Sequence, residues 1–365
     1  MSQNLWNEVA RTIKNAGQIP IPVSNTLIEL LKIIITEEQA KFLLIFKEPS
    51  LNINQIKEKT DLEESQLEKI LNDLMHNGII TGTTSRSTGV KVYRLMGPFP
   101  GIFEFTFMRG ETTEKEKKLV ILFEKLFEEM SQATQKNYEE LVPQYKKMVP
   151  AIARVVPVEE QIEIPKEVVL PFDEISKIVE KYDNIALTHC YCRHEKDLLG
   201  DPCKVTDDRL NCFLFGKSAQ FAIEQNFGKP ISREEAKKIF QKAEDDGLVH
   251  KAFHVHLNPQ KEEEAICNCC KCCCGIFQLY YRGAMPYHTI TSYLAVVNEE
   301  ECIGCGTCVE KCPMETISLI DDIAKINSEK CIGCGVCAHH CPQEAIKLEY
   351  NKRDVFIPPK KIVAN

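Results

Sequence analysis

Two stretches near the C-terminus repeat one pattern of cysteines. Each follows C-x2-C-x2-C-x3-C-P, the first beginning at Cys302 and the second, 29 residues later, at Cys331. Thiolate sulfurs are soft ligands, and this spacing is the one with which bacterial proteins bind [4Fe–4S] clusters. Where a protein holds two such clusters, the fourth cysteine of each run ligates the other cluster. The sequence therefore predicts two clusters with exchanged fourth ligands.

This rule divides the eight cysteines into two crossed sets. The first cluster is predicted to be held by Cys302, Cys305, Cys308 and Cys341. The second is predicted to be held by Cys331, Cys334, Cys337 and Cys312. Glycines inside both runs allow the tight loops that such ligation needs. A pair of zinc knuckles or a disulfide scaffold is the alternative, but four-cysteine zinc sites use two separated C-x2-C pairs.

Residues 295–350 resemble the bacterial-type two-cluster ferredoxins in both motifs. The resemblance implies two β-hairpins and two short helices related by a pseudo-twofold axis, with matching strands at 296–298 and 324–326. It also implies transfer of single electrons. The segment holds ten acidic against four basic residues, a net formal charge of −6. Such charge favours a redox partner with a basic docking surface, although a merely soluble surface explains it equally well.

Ten further cysteines lie in the middle of the chain, more than a buried core uses by chance. They are Cys190, Cys192, Cys203, Cys212, Cys267, Cys269, Cys270, Cys272, Cys273 and Cys274. Because thiolate sets select iron–sulfur clusters, zinc or copper(I), we expect at least one further metal centre, an additional iron–sulfur cluster or zinc.

The spacing does not choose the ligands of that centre. The first four of these cysteines are one set, four of the six within 267–274 are another, and the two halves could share one cluster. Neighbouring cysteines cannot easily point at one cubane, so some of the six are expected to be spare, bound to a second metal or redox-active.

Histidines near these cysteines are further candidates. His189 and His194 flank Cys190 and Cys192, where they could ligate metal or donate hydrogen bonds to sulfur. A predicted strand at 248–257 would place three more histidines on one face, as ligands or as ordinary strand residues. These are His250, His254 and His256. Arg193 could hold a thiolate-rich anion or lie at the surface.

The N-terminal residues 1–97 resemble the winged-helix domains of bacterial and archaeal regulators. The elements behind this resemblance are predicted helices at 25–35, 37–48, 53–59 and 63–77, and predicted strands at 79–81 and 90–95. The resemblance implies DNA binding. However, the helix that would enter the major groove has four acids and one base. Contacts with DNA phosphates need an excess of basic residues instead. Three basic residues of the predicted wing favour DNA binding: Arg86, Lys91 and Arg94. We expect docking of a partner or dimerisation rather than DNA binding.

Between these parts the pattern is less regular. Residues 102–108 are rich in phenylalanine and are expected to form a strand or an aromatic plug, and 114–138 one long helix. Prolines then indicate an extended connector over 149–171. Three helices are expected beyond it, at 172–182, 217–225 and 232–245. The last has a capping box of Ser232 and Glu235.

The predicted fold class is multidomain α+β. The predicted domains are a winged-helix-like domain (1–97), a helical segment with the proline-punctuated connector (98–171), a Cys-rich α+β domain (172–294), a ferredoxin-like domain with two [4Fe–4S] clusters (295–350) and a tail (351–365). The arrangement resembles multidomain ferredoxin-like iron–sulfur proteins of anaerobes, a resemblance that does not fix a reaction.

Composition narrows the function. Residues 1–24 have no apolar run like that of a signal peptide, and no segment is apolar over the length of a membrane span. Cysteine richness without export indicates metal binding in a reducing cytoplasm. A formal net charge of −8 argues against a general nucleic-acid or anionic-membrane binder. No nucleotide-binding glycine loop and no serine-hydrolase motif is present.

The predicted function is therefore single-electron transfer to or from a redox partner, with the N-terminal domain as a docking or homodimer contact. One alternative is an oxidoreductase in which the Cys-rich centre reduces a small molecule. Another is a redox- or metal-sensing winged-helix regulator.

Overall fold

The computed structural model describes residues 2–85, 87–148, 151, 153–162, 174–258 and 261–362. The chain divides into two compact units. The N-terminal unit comprises 1–133, 191–202 and 221–228, and the C-terminal unit comprises 134–190, 203–220 and 229–365. Cys192 thus belongs to the first unit and the other middle cysteines to the second.

The helices and strands of the described residues are as follows. The helices are α1 Ser2–Ala16, α2 Asn25–Ile34, α3 Glu37–Leu43, α4 Ile53–Glu58, α5 Glu64–His76, α6 Ile102–Phe107, α7 Glu114–Lys136, α8 Tyr138–Met148, α9 Ile175–Lys181, α10 Tyr191–Leu198, α11 Gly216–Glu224, α12 Arg233–Asp245, α13 Gly275–Tyr281, α14 Thr307–Lys311 and α15 Val336–His339. The strands are β1 Ser50–Asn52, β2 Ile80–Thr84, β3 Lys91–Leu95, β4 Ala153–Val156, β5 Ile185–His189, β6 Leu210–Phe215, β7 Gly228–Pro230, β8 Val249–His254, β9 Glu263–Cys269, β10 Tyr287–Val297, β11 Ile317–Ile320, β12 Ile323–Ile326 and β13 Ile346–Ile357. Short 3-10 turns lie at Glu159–Gln161 and Val255–Leu257.

The N-terminal unit contains the helices and the hairpin expected between residues 25 and 95. α3 and α4 each begin with a reciprocal capping box, Thr36 with Gln39 and Asn52 with Gln55, which satisfies backbone donors at the first turn. α5 buries an apolar stripe, and its neighbours β1, β3 and β2 form one antiparallel sheet in that order. The predicted wing residue Arg86 lies outside the described residues.

Residues 102–107 form a helix, so the expectation of a strand or plug at 102–108 was wrong about the strand. Alternate phenylalanines imitate the period of a strand, but in α6 they divide between two faces. Phe103 and Phe107 both pack on Phe123 of α7, with ring centroids 5.1 and 5.7 Å away. Phe105 lies on the other face of α6 and packs on Phe227, with ring centroids 4.7 Å apart.

The C-terminal unit is built on an eight-stranded sheet in the order β13-β10-β4-β8-β9-β6-β5-β7. α9 and α12 contribute to the core on one face of this sheet, where Phe213 of β6 stacks on Phe240 of α12 with centroids 4.0 Å apart. α12 begins at Ser232 with the predicted capping box. The predicted helix at 172–182 is present from Ile175 to Lys181, and 172–173 lie outside the described residues.

The predicted connector contributes a central strand instead of an extended link. β4 pairs in parallel with β10 and antiparallel with β8, and its four residues are all buried. A strand covered on both faces shows no alternation of apolar and polar residues, which explains why the sequence did not indicate it. α8 includes Pro143, and α7 ends at Lys136, two residues before the predicted end. Residues 163–171 of the connector lie outside the described part.

The ferredoxin-like segment is continuous with this sheet. β10 and β13 pair from Tyr287 with Ile357 to Val297 with Ile346. Both strands run through the predicted limits at 295 and 350, so 351–357 is a strand and not a tail. β11 and β12 form the second hairpin, and α14 and α15 are the two short helices. No helix of the described residues is long and apolar enough to cross a membrane.

Candidate metal centres

The first cysteine run surrounds a cavity that opens at the surface. Its empty volume is about 350 Å³. Four sulfur-bearing residues line it: Cys302, Cys305, Cys308 and Cys341. Cys305 is exposed and Ile303 beside it is 62% exposed. The structure therefore brings together three cysteines of the first run and the last cysteine of the second.

The second run surrounds a separate cavity of about 340 Å³. The cysteines that line it are Cys312, Cys331, Cys334 and Cys337. Three of them are buried and Cys312 is half-buried. This arrangement mirrors the first, with the last cysteine of the first run facing the second cavity.

Backbone shape at each cavity depends on a glycine. Gly304 has φ +65° and Gly333 has φ +63°. A Cβ at Gly304 would overlap the carbonyl oxygen of Asp322, and one at Gly333 would overlap that of Tyr293. Only glycine adopts this conformation while allowing so close a backbone approach.

Backbone amides already point at several of these sulfurs. The N–H of Ala324 donates to Cys302 Sγ at 3.4 Å, and the N–H of Thr316 donates to Cys312 Sγ at 3.4 Å. Gly333 N–H donates to Cys331 Sγ at 3.5 Å. Such bonds stabilise negative charge on sulfur and tune the reduction potential of a bound cluster.

Burial disfavours the thiolate form of the cysteines in the second set, so their ionisation depends on a bound cation. It raises the pKa of the Cys334 and Cys337 thiols, because a thiolate is poorly solvated there. In contrast, a hydrogen bond with the Thr307 side chain lowers the pKa of exposed Cys305. Four thiol donors, a glycine loop and N–H···S bonds at each cavity fit a [4Fe–4S] cluster, whose irons would offset the thiolate charge.

A third group of thiols lies in the C-terminal unit, outside these cavities. The sulfurs of Cys203, Cys270, Cys272 and Cys273 all lie within 4.8 Å of one another. Cys203 Sγ is 3.6 Å from Cys270 Sγ and 3.7 Å from Cys272 Sγ. Cys272 Sγ is 3.5 Å from Cys270 Sγ and 3.6 Å from Cys273 Sγ. We call these residues the four-thiol centre.

These spacings match ligands of one metal ion. With Zn–S bonds of about 2.3 Å, the edge of a zinc–sulfur tetrahedron is about 3.8 Å. Ligands of a cubane bind different irons, so their sulfurs lie much farther apart. Crowding lowers the pKa of Cys203, since Cys270, Cys272 and Cys273 hydrogen-bond to its thiolate, and raises that of Cys273. A bound dication would allow all four to ionise, so the residues fit a zinc ion.

The remaining middle cysteines lie outside the four-thiol centre. Cys212 pairs with Cys267 across β6 and β9, and Cys190 follows β5 directly. Cys269 ends β9 and Cys274 precedes α13. The structure thus combines one cysteine of 190–212 with three of 267–274, including the neighbours Cys272 and Cys273.

Two of the candidate histidines form hydrogen bonds with backbone carbonyl oxygens. His194 Nε2 donates to the carbonyl oxygen of Glu111 at 2.6 Å, and His254 Nδ1 donates to that of Lys261 at 2.8 Å. His189 is the last residue of β5. The strand predicted at 248–257 ends at His254, so His256 falls in a 3-10 turn. The structure does not describe the side chain of His256. Arg193 is fully buried, which excludes a surface position.

The sheet contains a buried polar network that the residue pattern did not indicate. His250 ring nitrogens lie 2.7 Å from Asn268 Oδ1 and 3.2 Å from Glu244 Oε1. Asn268 Nδ2 donates to Asn211 Oδ1 at 2.5 Å. Lys251 is likewise buried, which the sequence did not indicate. The alternation of asparagine and cysteine in 211–212 and 267–269 is the signal that could have indicated two different faces of one sheet.

Comparison with known proteins bears on the C-terminal segment. Residues 295–348 match the family model of the 4Fe-4S dicluster domain. Protein Pixie of Drosophila melanogaster is 58% identical over 33 residues, which are 9% of this chain and 5% of that protein. The chain thus covers a small fraction of this curated relative. No solved structure matches. The C-terminal segment is a ferredoxin-like iron–sulfur domain that binds 4Fe-4S clusters.

Proposed function

We propose that this protein transfers single electrons through two [4Fe–4S] clusters, each held by three cysteines of one run and the fourth of the other. The observation that supports this best is the presence of two separate cavities, each lined by one crossed set of four cysteines. Cluster ligation and potential tuning are the only chemistry that this function requires.

The two clusters differ in access, which suggests an order of transfer. Exposed Cys305 and Ile303 favour the first cluster as the point of exchange with a partner. The second cluster borders the large sheet, since Val158 N–H donates to the carbonyl oxygen of Cys334 at 3.1 Å. Electrons would therefore pass between a partner and the sheet through the first and then the second cluster.

We assign a zinc ion to the four-thiol centre on the basis of its sulfur spacing. Such an ion would tie the loop at Cys203 to the turn after β9 and contribute folding energy. The eighteen cysteines form no disulfide in the structure, and we propose a reducing compartment such as the cytoplasm. The oxidoreductase alternative needs, in addition, a redox centre in the sheet.

The N-terminal unit is proposed to dock a partner or a second copy. Glu63, Glu64, Glu68 and Asp73 are exposed on and beside α5, and carboxylates there would repel DNA phosphates. Gel-shift binding to DNA that survives moderate salt would contradict docking and support the regulator alternative.

The test is strictly anaerobic purification followed by metal analysis and redox titration. The proposal expects at least about eight irons with matching sulfide per chain, about one zinc, and reversible one-electron reduction. Fewer irons in fully folded protein, or no reversible reduction, would reject it.

A further inference from the structure

Two cysteines that do not belong to the four-thiol centre lie on either side of it in the chain. Cys269 is the last residue of β9, and Cys274 directly precedes α13. A hydrogen bond from Cys274 N–H to the carbonyl oxygen of Cys270, 3.1 Å long, closes the turn between them. The thiols of Cys269 and Cys274 hydrogen-bond to each other, and the two residues are only 6% and 5% exposed. We call Cys269 and Cys274 the thiol pair.

A buried lysine lies beside the thiol pair. Lys251 of β8 is 1% exposed, and its Nζ lies 3.8 Å from Cys274 Sγ. The residue opposite Lys251 on β9 lies two positions before Cys269, so Lys251 and Cys269 share a face of the sheet. The rings of Phe277 and Tyr287 cover the ammonium group, with centroids 3.5 and 4.7 Å from Nζ, and the Tyr287 hydroxyl hydrogen-bonds to it.

This lysine distinguishes the thiol pair from ordinary buried cysteines. A free cysteine often fills a core as a small apolar residue, which explains burial but not an ammonium group beside the sulfur. Among the described residues, no carboxylate forms an ion pair with Lys251. Its charge therefore favours negative charge on the neighbouring sulfurs, and sulfur carries such charge when a disulfide is made or broken.

The thiol pair also lies near the second cysteine cavity. α13 begins directly after Cys274, and its seven residues span about 10 Å. At the end of α13, the Tyr281 hydroxyl donates to the carbonyl oxygen of Pro313 at 2.7 Å, and Pro313 lines that cavity. Lys271, inside the turn, forms an ion pair with Glu315. About the length of this short helix thus separates the thiol pair from the second cluster.

We propose that the thiol pair is redox-active: it forms a Cys269–Cys274 disulfide that is reduced through the second cluster. In reduction the S–S bond breaks, one electron from each of the two clusters enters the pair, and each sulfur takes up one proton from solvent. In oxidation the S–S bond forms, the two electrons return to the clusters and the two protons leave. Lys251 offsets the negative charge that builds on sulfur as electrons enter.

The proposal rests on the proposed electron-transfer function, because the two clusters are the one-electron reductants of the disulfide. Reduction of one disulfide needs two electrons, and two [4Fe–4S] clusters together deliver two. The pair would thus convert single-electron transfer into two-electron chemistry.

The test follows the thiol pair in the full chain, purified anaerobically with its metals and equilibrated with mediators at a series of potentials. Each sample is quenched in acid, alkylated in denaturant, digested with trypsin and analysed by mass spectrometry. Trypsin cleaves after Lys271, so the disulfide joins peptides 262–271 and 272–282. We expect joined peptides at high potential and separate alkylated peptides at low potential. Their ratio should change tenfold for about 30 mV, as for a two-electron couple.

Three variants assign the link. Cys269→Ser should abolish the joined peptides, whereas the matched control Cys267→Ser, on the same strand and in the same tryptic peptide, should retain them. Lys251→Met should retain the link and make the midpoint potential of the pair more negative, because the reduced sulfurs lose their counter-charge. An unchanged midpoint potential would overturn the role of Lys251.

The route of the electrons needs a kinetic measurement without mediators. Cys334→Ala, which removes a ligand of the second cluster, should slow reduction of the link by a one-electron reductant. An unchanged rate would overturn reduction through that cluster.

The outcomes separate the thiol pair from the electron carrier. If no joined peptides form at any potential, or if they persist in Cys269→Ser, the thiol pair is overturned. Iron content and cluster reduction are measured on the same samples. Intact clusters without the link would leave the carrier standing, whereas a link without reducible clusters would reject the carrier and the route of reduction together.

Discussion

Single residues decide which sulfur serves which cluster. Cys312 follows α14 directly, yet it lines the cavity of the second run, and Cys341 lines that of the first. The exchange arises because each short helix carries the chain from one cavity to the other. The spacing rule thus predicts the two crossed sets, and the path of the chain through each short helix brings the cysteines of each set to one cavity.

Iron analysis of double variants tests the crossed sets. Cys312→Ala should cost the second cluster and leave the first. In a Cys334→Ala background it should remove no further iron, because both residues serve one cluster. In a Cys305→Ala background it should remove the remaining iron of the C-terminal domain. The reverse pattern would refute the assignment.

Gly333 is the glycine whose replacement should matter most. A Cβ there would overlap the carbonyl oxygen of Tyr293 at a φ of +63°. Gly333→Ala should therefore lose the second cluster, measured as about four irons fewer per chain. Gly306→Ala is the control, because φ is also positive there but the nearest atom, Leu319 Cδ1, lies 3.8 Å away. Equal iron loss in both variants would show that the positive φ, and not the overlap with a carbonyl oxygen, causes the loss of the cluster.

At the scale of elements, α6 contains a carboxyl group with unusual titration. Glu104 accepts a hydrogen bond from Gly101 N–H at 2.5 Å. Burial raises the pKa of Glu104 from 4.5 to about 7, although that hydrogen bond opposes the shift. The folded state therefore binds this proton more tightly than the unfolded chain does.

Stability should accordingly fall as pH rises through this window. Below pH 4.5 the group is neutral in both states, and between there and about 7 only the unfolded chain releases its proton freely. The loss of folding free energy is of order 3 kcal/mol. Denaturant titration at several pH values measures it. Glu104→Gln retains the acceptor and should abolish this slope; a slope that persists would assign it to other groups.

At the scale of the whole molecule, charge should govern partner association. The domain of 295–350 has a net formal charge of −6 around a partly exposed cluster. Electron exchange with a basic carrier protein should slow as salt is raised, because screening weakens long-range steering. Stopped-flow absorbance measures this rate, with an acidic carrier as the control. A rate independent of salt for the basic carrier would indicate that this acidity only aids solubility.

The sequence by itself determined the features that depend on residues close together in the chain. The spacing of Cys302 to Pro313 and its repeat indicates iron–sulfur chemistry, because a cluster imposes its geometry over a dozen residues. The capping box at Ser232 and the apolar stripe of α5 likewise depend on neighbours within a few turns of helix. These predictions match the described structure.

Tertiary structure alone decided what depends on distant partners. β4 is central because β10 and β8 flank it, and α6 is helical because Phe123 and Phe227 take its two faces. Cys203 meets Cys270, 67 residues away, only through folding. Lys251 lies opposite Cys267 only through the register of β8 with β9. Sequence spacing does not encode such contacts, because strand pairing joins residues without regard to their separation in the chain.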